Sequence, residues 1–209
     1  MQCSTQQTRV LKPAAIVIGA STGGPQALSV VLKGLVPFLK NVPVFVVLHM
    51  PEEFSSVIPS HAEKLTGLPA RLAHHDELVE AERIYFSPGN LHLCVERTEE
   101  GMRLRHSDAP PEHFLKPSVD ILFNSAASAY EGRVLGIVLS GMGNDGLEGA
   151  RAIVQAGGTI IVQDKATSVV WGMPGAIANA GLATAILPVD KIASAAGQLI
   201  WSAHEGAAA

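Results

Sequence analysis

The chain has 209 residues and a formal net charge of −4, a length that favours one compact domain and a charge that gives no basic surface for nucleic acid. Apolar residues make up 47% of the sequence but aromatic residues only 5%, so we expect a core of aliphatic side chains. Two cysteines, Cys3 and Cys94, are too few for a disulfide framework, and no stretch is apolar enough for a secretory leader or a membrane span, so we expect a cytoplasmic protein without direct membrane insertion.

The opening of the chain has the pattern of two strands joined by a helix. Residues 14–20 and 42–50 are continuous apolar runs, which are typical of parallel strands covered on both faces. Between them, residues 26–35 carry leucine and valine at helical spacing, with Pro25 near the first helical position. This βαβ unit is expected to make a right-handed crossover.

The middle of the chain is less regular. Residues 53–66 are predicted to form a helix interrupted at Pro59, and residues 70–74 a short strand. Between residues 83 and 106 the pattern alternates or turns at glycine, which favours an antiparallel hairpin. A loop is predicted to follow, and then a helix capped by Ser118.

The last part of the chain returns to alternating strands and helices. The predicted elements are a strand at 133–141, a helix at 147–158, a strand at 158–164, a short helix at 176–180, a strand at 184–187 and a terminal helix. The whole pattern predicts an α/β fold with three layers (α/β/α), doubly wound around a mainly parallel sheet, with an antiparallel hairpin insert. We expect the domain to span residues 14–204, between disordered segments at 1–13 and 205–209.

Three residues suited to hydrolytic chemistry follow predicted strands. Ser21 comes after the first strand, His49 closes the second, and Asp145 lies in the glycine-rich turn after the strand at 133–141. Sites in open parallel sheets form beyond the carboxyl ends of the strands, so these side chains are expected at one edge. A serine needs a base to accept its proton, and a histidine needs a carboxylate to orient it, which predicts a Ser21–His49–Asp145 triad.

The segment around Ser21 favours a nucleophile over a nucleotide-binding site. Residues 19–23 match the G-x-S-x-G pattern of a serine on a turn between a strand and a helix, where the free N–H groups of the new helix can receive an oxyanion. The rival hypothesis is a nucleotide-binding domain with the pattern G-x-G-x-x-G, but Ser21 stands where its second glycine belongs. The acidic residue expected at the end of the second strand is also replaced, by His49.

Taken one at a time, these residues have ordinary structural explanations. A lone histidine such as His49 is most often a hydrogen-bonded structural residue, and Asp145 fits a turn or a helix cap equally well. A non-catalytic Rossmann-like binding module therefore stays open as an alternative of another class. The run His74, His75, Asp76 suggests a metal site, but adjacent residues on a strand point to opposite faces, so we expect no metal and no cofactor.

Five segments together resemble the catalytic domain of the chemotaxis protein-glutamate methylesterase family. They are GASTGGP at 19–25, LHM at 48–50, KPSVD at 116–120, LSGMGNDG at 139–146 and QDKATSVVWGMP at 163–174. The segments occur in the family's order, and the resemblance extends over residues 14–200. Within KPSVD, Asp120 is interpreted as a first-turn acid of the helix and not as a catalytic group.

The resemblance implies a hydrolase that removes methyl esters from glutamate side chains of methyl-accepting chemotaxis receptors, in chemotactic adaptation, and that also deamidates selected glutamines. It implies Ser21 as nucleophile, His49 as base and Asp145 as the residue that orients the base. Thr22 lies beside the nucleophile, and the backbone amide of Met142 is implied as an oxyanion donor. The implied partners are the cytoplasmic helices of the receptors.

The resemblance also raises the question of control. Members of the family usually carry an N-terminal receiver domain, whereas here about a dozen residues precede the first predicted strand. The chain is expected to be either an excised domain or a stand-alone esterase that is controlled in another way. A separate phosphorylated receiver protein is one such partner.

Overall fold

The structure is a computed structural model and describes residues 12–51, 55–112 and 115–201. Its strands are β1 (Ala15–Ala20), β2 (Val44–Leu48), β3 (Ala70–Leu72), β4 (Ile84–Phe86), β5 (His92–Thr98), β6 (Gly101–Ser107), β7 (Val134–Val138), β8 (Thr159–Gln163) and β9 (Ala185–Leu187). Its helices are α1 (Gly24–Leu35), α2 (Val57–Thr66), α3 (Val119–Ala129), α4 (Leu147–Gln155), α5 (Met173–Asn179) and α6 (Val189–Trp201). Within the described ranges, no helix is both long and apolar enough to cross a membrane.

Seven strands form one parallel sheet in the order β3-β4-β2-β1-β7-β8-β9. The central strand β1 pairs with β2 on one side and with β7 on the other. The helices that follow β1 and β7 pack on opposite faces of the sheet, so the winding direction reverses between these two strands. Such a reversal leaves a crevice beyond the carboxyl ends of the strands, here between the segments that follow β1 and β7.

Alternate residues of the central strands enter two separate cores. In β1, Ala15 and Val17 belong to the core shared with α3, α4 and α5, whereas Ile16 and Ile18 belong to the core shared with α1 and α6. Both faces of each central strand are therefore buried. This double burial is the reason why these strands are continuously apolar in sequence.

The two remaining strands, β5 and β6, form an antiparallel hairpin that packs on α3. The Val95 N–H donates to the hydroxyl of Ser125 at 3.1 Å, and Nε of Arg97 donates to the Ala129 carbonyl at 2.9 Å. The hairpin thus covers the outer side of α3. Because α3 begins at the carboxyl edge of the sheet, this packing also supports the helix end that contributes to the site described below.

The predicted three-layer α/β fold with a mainly parallel sheet and a hairpin insert is confirmed, with two corrections. The hairpin was expected from residue 83, but Ile84–Phe86 is a parallel strand between β2 and β3 in the main sheet. Pro59 does not interrupt α2, because it lies in the first turn, where its missing N–H is not needed. Apart from residues 12 and 13, the segments predicted to be disordered lie outside the described residues.

Candidate active site

The carboxyl ends of β1 and β2 bring Ser21 and His49 side by side. The last paired residues of these strands are Ala20 and Leu48, so Ser21 and His49 are the next residues in register. The His49 N–H continues the ladder by donating to the Ala20 carbonyl at 2.9 Å. Adjacent strands lie about 4.8 Å apart, so the two side chains start close together. Side chains alternate between the two faces along each strand, so those of Ser21 and His49 both point to the face that carries α3.

Two glycines flank Ser21 for different physical reasons. Gly19 lies within β1, and a Cβ there would come 2.5 Å from a methyl group of Val119, so glycine lets the start of α3 approach the strand. Gly23 caps α1 with a left-handed φ of 75°, and a Cβ there would come 2.5 Å from Val169. The glycine pattern therefore reflects close contacts with α3 and with the loop around Val169, in addition to a turn.

The Asp145 carboxylate is buried at the N-terminus of α3, at the same edge of the sheet. It accepts hydrogen bonds from the Ser118 hydroxyl at 2.9 Å and from the N–H groups of Val119 at 2.7 Å and Asp120 at 3.0 Å. The Gly146 N–H donates a fourth bond at 3.0 Å. Asp145 therefore caps a helix that begins 26 residues earlier in the chain, and the helix dipole stabilises its negative charge.

The same carboxylate contacts His49. Nε2 of His49 lies 2.9 Å from Oδ2 of Asp145, although the ring N–H is not aligned with the oxygen, as is common in ligand-free sites. Burial raises the pKa of Asp145, but the nearby His49 ring and the hydrogen bonds from the N–H groups of Asp120 and Val119 outweigh burial and hold the pKa below its ordinary value. Asp145 is therefore ionised at neutral pH, and Nδ1 is the ring nitrogen of His49 that does not face it.

A second carboxyl group, that of Asp120, lies behind Asp145 in the first turn of α3. Only 4% of the residue is exposed, and the Gly149 N–H donates to Oδ1 at 2.7 Å. The pKa of Asp120 is raised to about 6, chiefly by burial and further by the negative charge of Asp145 and a hydrogen bond between the two carboxyl groups. The site therefore contains two buried carboxyl groups whose pKa values are shifted in opposite directions, so that only Asp145 is ionised at mildly acidic pH.

Replacing Asp120 by Asn is expected to stabilise the fold at neutral pH. Because the pKa of Asp120 is raised in the folded protein, its protonated carboxyl group contributes its full stabilisation below the ordinary aspartate pKa. This stabilisation is lost as the pH rises through about 6 and the group ionises. Asn does not ionise, so the stability of the variant relative to wild type should increase by about 1–3 kcal/mol between about pH 4 and about pH 8. Denaturant unfolding across this range measures the difference. A difference that does not change with pH contradicts the expectation.

The loop between β8 and α5 is fastened to the site through Ser140. The Ser140 hydroxyl donates to the Thr22 carbonyl at 2.7 Å and accepts the Val170 N–H at 3.0 Å. The side chain of Gln163 accepts the Ser140 N–H at 2.8 Å, and the Gln163 carbonyl accepts Nε1–H of Trp171 at 2.9 Å. These bonds connect the turn that follows β1 to the loop on the other side of the crevice.

We expect Ser140→Ala to weaken both the fold and the site. The Val170 N–H loses its acceptor, which should cost about 1–3 kcal/mol in the free energy of unfolding. The Thr22 carbonyl is no longer held, so the rate at which Ser21 reacts with a fluorophosphonate, a probe for activated serines, should fall about tenfold. The matched control is Ser194→Ala, which removes a hydroxyl bonded to the Lys191 carbonyl on the exposed face of α6 and should change stability by about 0.5 kcal/mol or less. Equal effects of the two variants would contradict this account of Ser140.

The two predicted support residues, Thr22 and Met142, lie on either side of Ser21. The loop of Met142 packs on the serine, since a Cβ on Gly141 would come 3.0 Å from the Cβ of Ser21. Within the described part of the chain, the N–H groups of Thr22 and Met142 donate to no protein acceptor. The first N–H of α1, that of Gly24, donates to the Ser21 carbonyl at 2.6 Å. This helix amide is therefore not available to an oxyanion, contrary to the expectation from the motif.

The side chains of two of the three residues considered as metal ligands, His75 and Asp76, have partners in the protein. Nδ1 of His75 accepts the His106 N–H at 3.0 Å, and Asp76 pairs with Arg105. Among the residues that the structure describes, no group of three or more His, Cys, Asp or Glu side chains is arranged to hold a metal ion.

Several residues of the site carried no clear signal in the sequence. Ser118 occupies the N-cap position of α3, as predicted. Its hydroxyl makes no capping hydrogen bond with its own helix and instead donates to Asp145. Its N–H donates to Nδ1 of the fully buried His92 at 3.2 Å. Asp120 and Ser140 were likewise not expected to contact the predicted triad residues or their neighbours. Their partners are distant in sequence, so no local pattern identifies them.

Comparison with known proteins identifies a family that matches most of the chain. A model of the CheB methylesterase family matches residues 16–196. The crystal structure of the Thermotoga maritima CheB methylesterase catalytic domain superimposes with a TM-score of 0.86 at 32% sequence identity, covering 90% of this chain and 100% of that one. The agreement in both sequence and fold extends over the whole sheet.

Curated relatives have the same family name. A protein-glutamate methylesterase/protein-glutamine glutaminase of group 2 operon from Bradyrhizobium diazoefficiens is 43% identical over 196 residues, which are 94% of this chain and 49% of the relative. A protein-glutamate methylesterase/protein-glutamine glutaminase from Paramagnetospirillum magneticum is 45% identical over 181 residues, 87% of this chain and 48% of the relative. The chain thus spans about half the length of the curated relatives that it matches.

Proposed function

Because the chain belongs to the CheB methylesterase family, we propose that it removes methyl esters from glutamate side chains of methyl-accepting chemotaxis receptors. In this proposal Ser21 is the nucleophile, His49 the base and Asp145 the carboxylate that orients the base. One observation carries the assignment. Asp145 is ionised and fully buried, and its Oδ2 lies 2.9 Å from Nε2 of His49 at the edge where Ser21 follows β1.

The first half-reaction forms an acyl-enzyme. Oγ of Ser21 attacks the carbonyl carbon of the glutamyl ester, and the hydroxyl proton moves to Nδ1 of His49, since Nε2 faces Asp145. The Asp145 carboxylate stabilises the imidazolium without accepting its proton. The tetrahedral intermediate then expels methoxide, which takes the proton from His49 and leaves as methanol. The product is a glutamyl ester of Ser21.

Two backbone amides are suited to stabilise the intermediate. The N–H groups of Thr22 and Met142 have no acceptor among the described residues and lie beside Ser21. Donors that are already oriented stabilise a developing oxyanion without reorganisation, and one such donor contributes about 10²–10³ in kcat. We assign the oxyanion site to these two amides.

The second half-reaction explains how one site serves two substrates. Water, activated by His49, attacks the acyl-enzyme and releases glutamate, and Ser21 regains its proton. Attack on a glutamine side chain gives the same acyl-enzyme with ammonia as the leaving group. The relatives' names contain protein-glutamine glutaminase, and we extend this deamidation to the present chain.

The proposed setting is chemotactic adaptation in the cytoplasm. The substrate surfaces are the cytoplasmic helices of the receptors, which carry the methylated glutamates. A phosphorylated receiver, either in a longer form of this protein or as a separate protein, is the proposed regulator. Support for these partners comes from the family alone, because the chain spans about half of its curated relatives.

Release of labelled methanol tests the proposal. The chain is incubated with a receptor fragment whose glutamates carry isotope-labelled methyl esters, and the same fragment without protein is the blank. Volatile methanol and a free glutamate at the same position are the expected products. A fluorophosphonate probe, which labels an activated serine, is applied in parallel.

The two readouts separate the alternatives. Probe labelling at Ser21 together with methanol release supports the full proposal. Labelling without methanol release refutes the receptor substrate and keeps the serine hydrolase. No labelling of a folded protein refutes the triad and favours a binding module.

A further inference from the structure

The mechanism above leaves the buried carboxyl group of Asp120 unused. Asp120 lies in the first turn of α3 and Asp145 in the loop that precedes α4, and the Asp120 N–H donates to Oδ1 of Asp145 at 3.0 Å. Both carboxyl groups are buried, and they lie close enough that the charge of Asp145 raises the pKa of Asp120. Two carboxylates in contact away from water repel each other, so such a pair holds a proton unless donors compensate both charges.

The donors around the pair decide which member holds that proton. Asp145 accepts four hydrogen bonds from Ser118, Val119, Asp120 and Gly146 and also faces His49. Asp120 accepts the Gly149 N–H, and the Gly146 N–H also lowers its pKa. Asp145, whose pKa is held below its ordinary value, is therefore the ionised member, and below about pH 6 the proton of the pair belongs to Asp120.

Other ionisable groups near Asp120 do not explain this arrangement. The strands packed on α3, β1 and β7, carry no ionisable side chain. His92 of β5 accepts the Ser118 N–H and is fully buried. The charged side chains of the neighbouring elements are exposed or ion-paired, namely Glu96, Arg97, Lys116, Glu148 and Arg151.

We propose that Asp120 is a positioning residue that holds a proton against Asp145 at low pH and, once ionised, adds a second negative charge behind the His49–Asp145 pair. The inference rests on the proposed triad. In the protonated state, the Asp120 hydroxyl donates to Asp145 and withdraws charge from the carboxylate that faces His49. In the ionised state, both carboxylates stabilise the imidazolium that forms when Ser21 loses its proton. The esterase is therefore expected to become more active as Asp120 ionises.

The test compares wild type with Asp120→Asn, which keeps the shape and a donor to Asp145 but does not ionise. The measured quantity is the rate of fluorophosphonate labelling of Ser21, which needs no receptor substrate. The ratio of the wild-type rate to the variant rate should rise about tenfold between about pH 5 and about pH 8. Dividing the two rates at each pH cancels any pH dependence of labelling that the two proteins have in common.

Ser118→Ala is the matched control. This variant also removes a hydrogen bond to Asp145 but changes no ionisable group, so its labelling rate should be lower than that of wild type by a factor that does not depend on pH. If the ratio for Asp120→Asn is also constant within about twofold, Asp120 is merely structural and the proposal is wrong.

A second measurement does not depend on the folding of any variant. Carboxyl-carbon NMR of wild-type protein with isotope-labelled aspartate should show one buried aspartate that titrates near pH 6. The absence of such a titration overturns the proposal. If wild type is not labelled by the probe at any pH, the proposed esterase fails, and the catalytic part of this inference fails with it. Labelling of wild type with a flat pH ratio refutes the inference alone.

Discussion

Replacing Ser21 by Ala is expected to lower kcat for ester hydrolysis by about 10⁴–10⁶-fold. The reason is that the variant has no hydroxyl at the end of β1 that could attack the ester and pass its proton to His49. The Ser21 N–H donates to the Ser140 carbonyl at 3.0 Å, and the Ser21 carbonyl accepts the Gly24 N–H. The side chain of Ser21 is therefore carried on a fixed turn, which the Ala variant keeps.

Kinetics of the double variant test whether Ser21 acts together with His49. His49→Ala should cost as much as Ser21→Ala, and combining the two should add little, because either change already stops proton transfer. Ser29→Ala is the matched control, since its hydroxyl donates to the Pro25 carbonyl on α1, away from the crevice, and it should retain wild-type turnover. Losses that multiply in the double variant would argue against a triad that works as a unit.

Changing Asp145 to Ala is expected to damage stability and activity together. Four donors would lose their acceptor in a site without solvent, and His49 would lose its orienting charge. We expect the free energy of unfolding to fall by about 3–5 kcal/mol, which is the range for removing one partner of a buried ion pair. Turnover should fall by about 10⁴, because the imidazolium is no longer stabilised.

Asp145→Asn separates the two effects. The Asn amide keeps one oxygen for the α3 donors, so the variant should lose less stability than Asp145→Ala. Turnover should still fall by about 10⁴, because the amide carries no charge to stabilise the imidazolium. Asp190→Asn on the exposed first turn of α6 is the control and should change stability by about 0.5 kcal/mol or less. Denaturant unfolding measures the stability of each variant, and the rate of probe labelling measures the reactivity of Ser21. Wild-type turnover in Asp145→Asn would refute the orienting role.

The alternation of strands and helices could be predicted because it depends on local patterns. Continuous apolar runs at 14–20 and 42–50 require burial on both faces, and only a parallel sheet between two layers of helices provides it. The carboxyl-edge positions of Ser21, His49 and Asp145 follow from the same reasoning, because in a parallel sheet every strand ends at the same edge. Their catalytic roles remain proposals until the variants are measured.

The strand β4 shows where local patterns stop being informative. Ile84–Phe86 has only three residues, and its alternation fits a hairpin as well as a buried parallel strand. Its pairing with β2 and β3 depends on residues that lie more than ten positions away, so the sequence pattern predicted the wrong partner.

The sequence by itself determined the layered fold and the candidate nucleophile, base and carboxylate, since periodicity and residue chemistry are local properties. The tertiary structure alone decided how the carboxylate is held. Asp145 meets the N-terminus of a helix that starts 26 residues earlier, and Gly19 is needed because Val119 of that helix packs on β1. Packing also buries Asp120 against Asp145 and raises its pKa to about 6. Burial and hydrogen bonding between distant segments set these charges, and no local pattern encodes them.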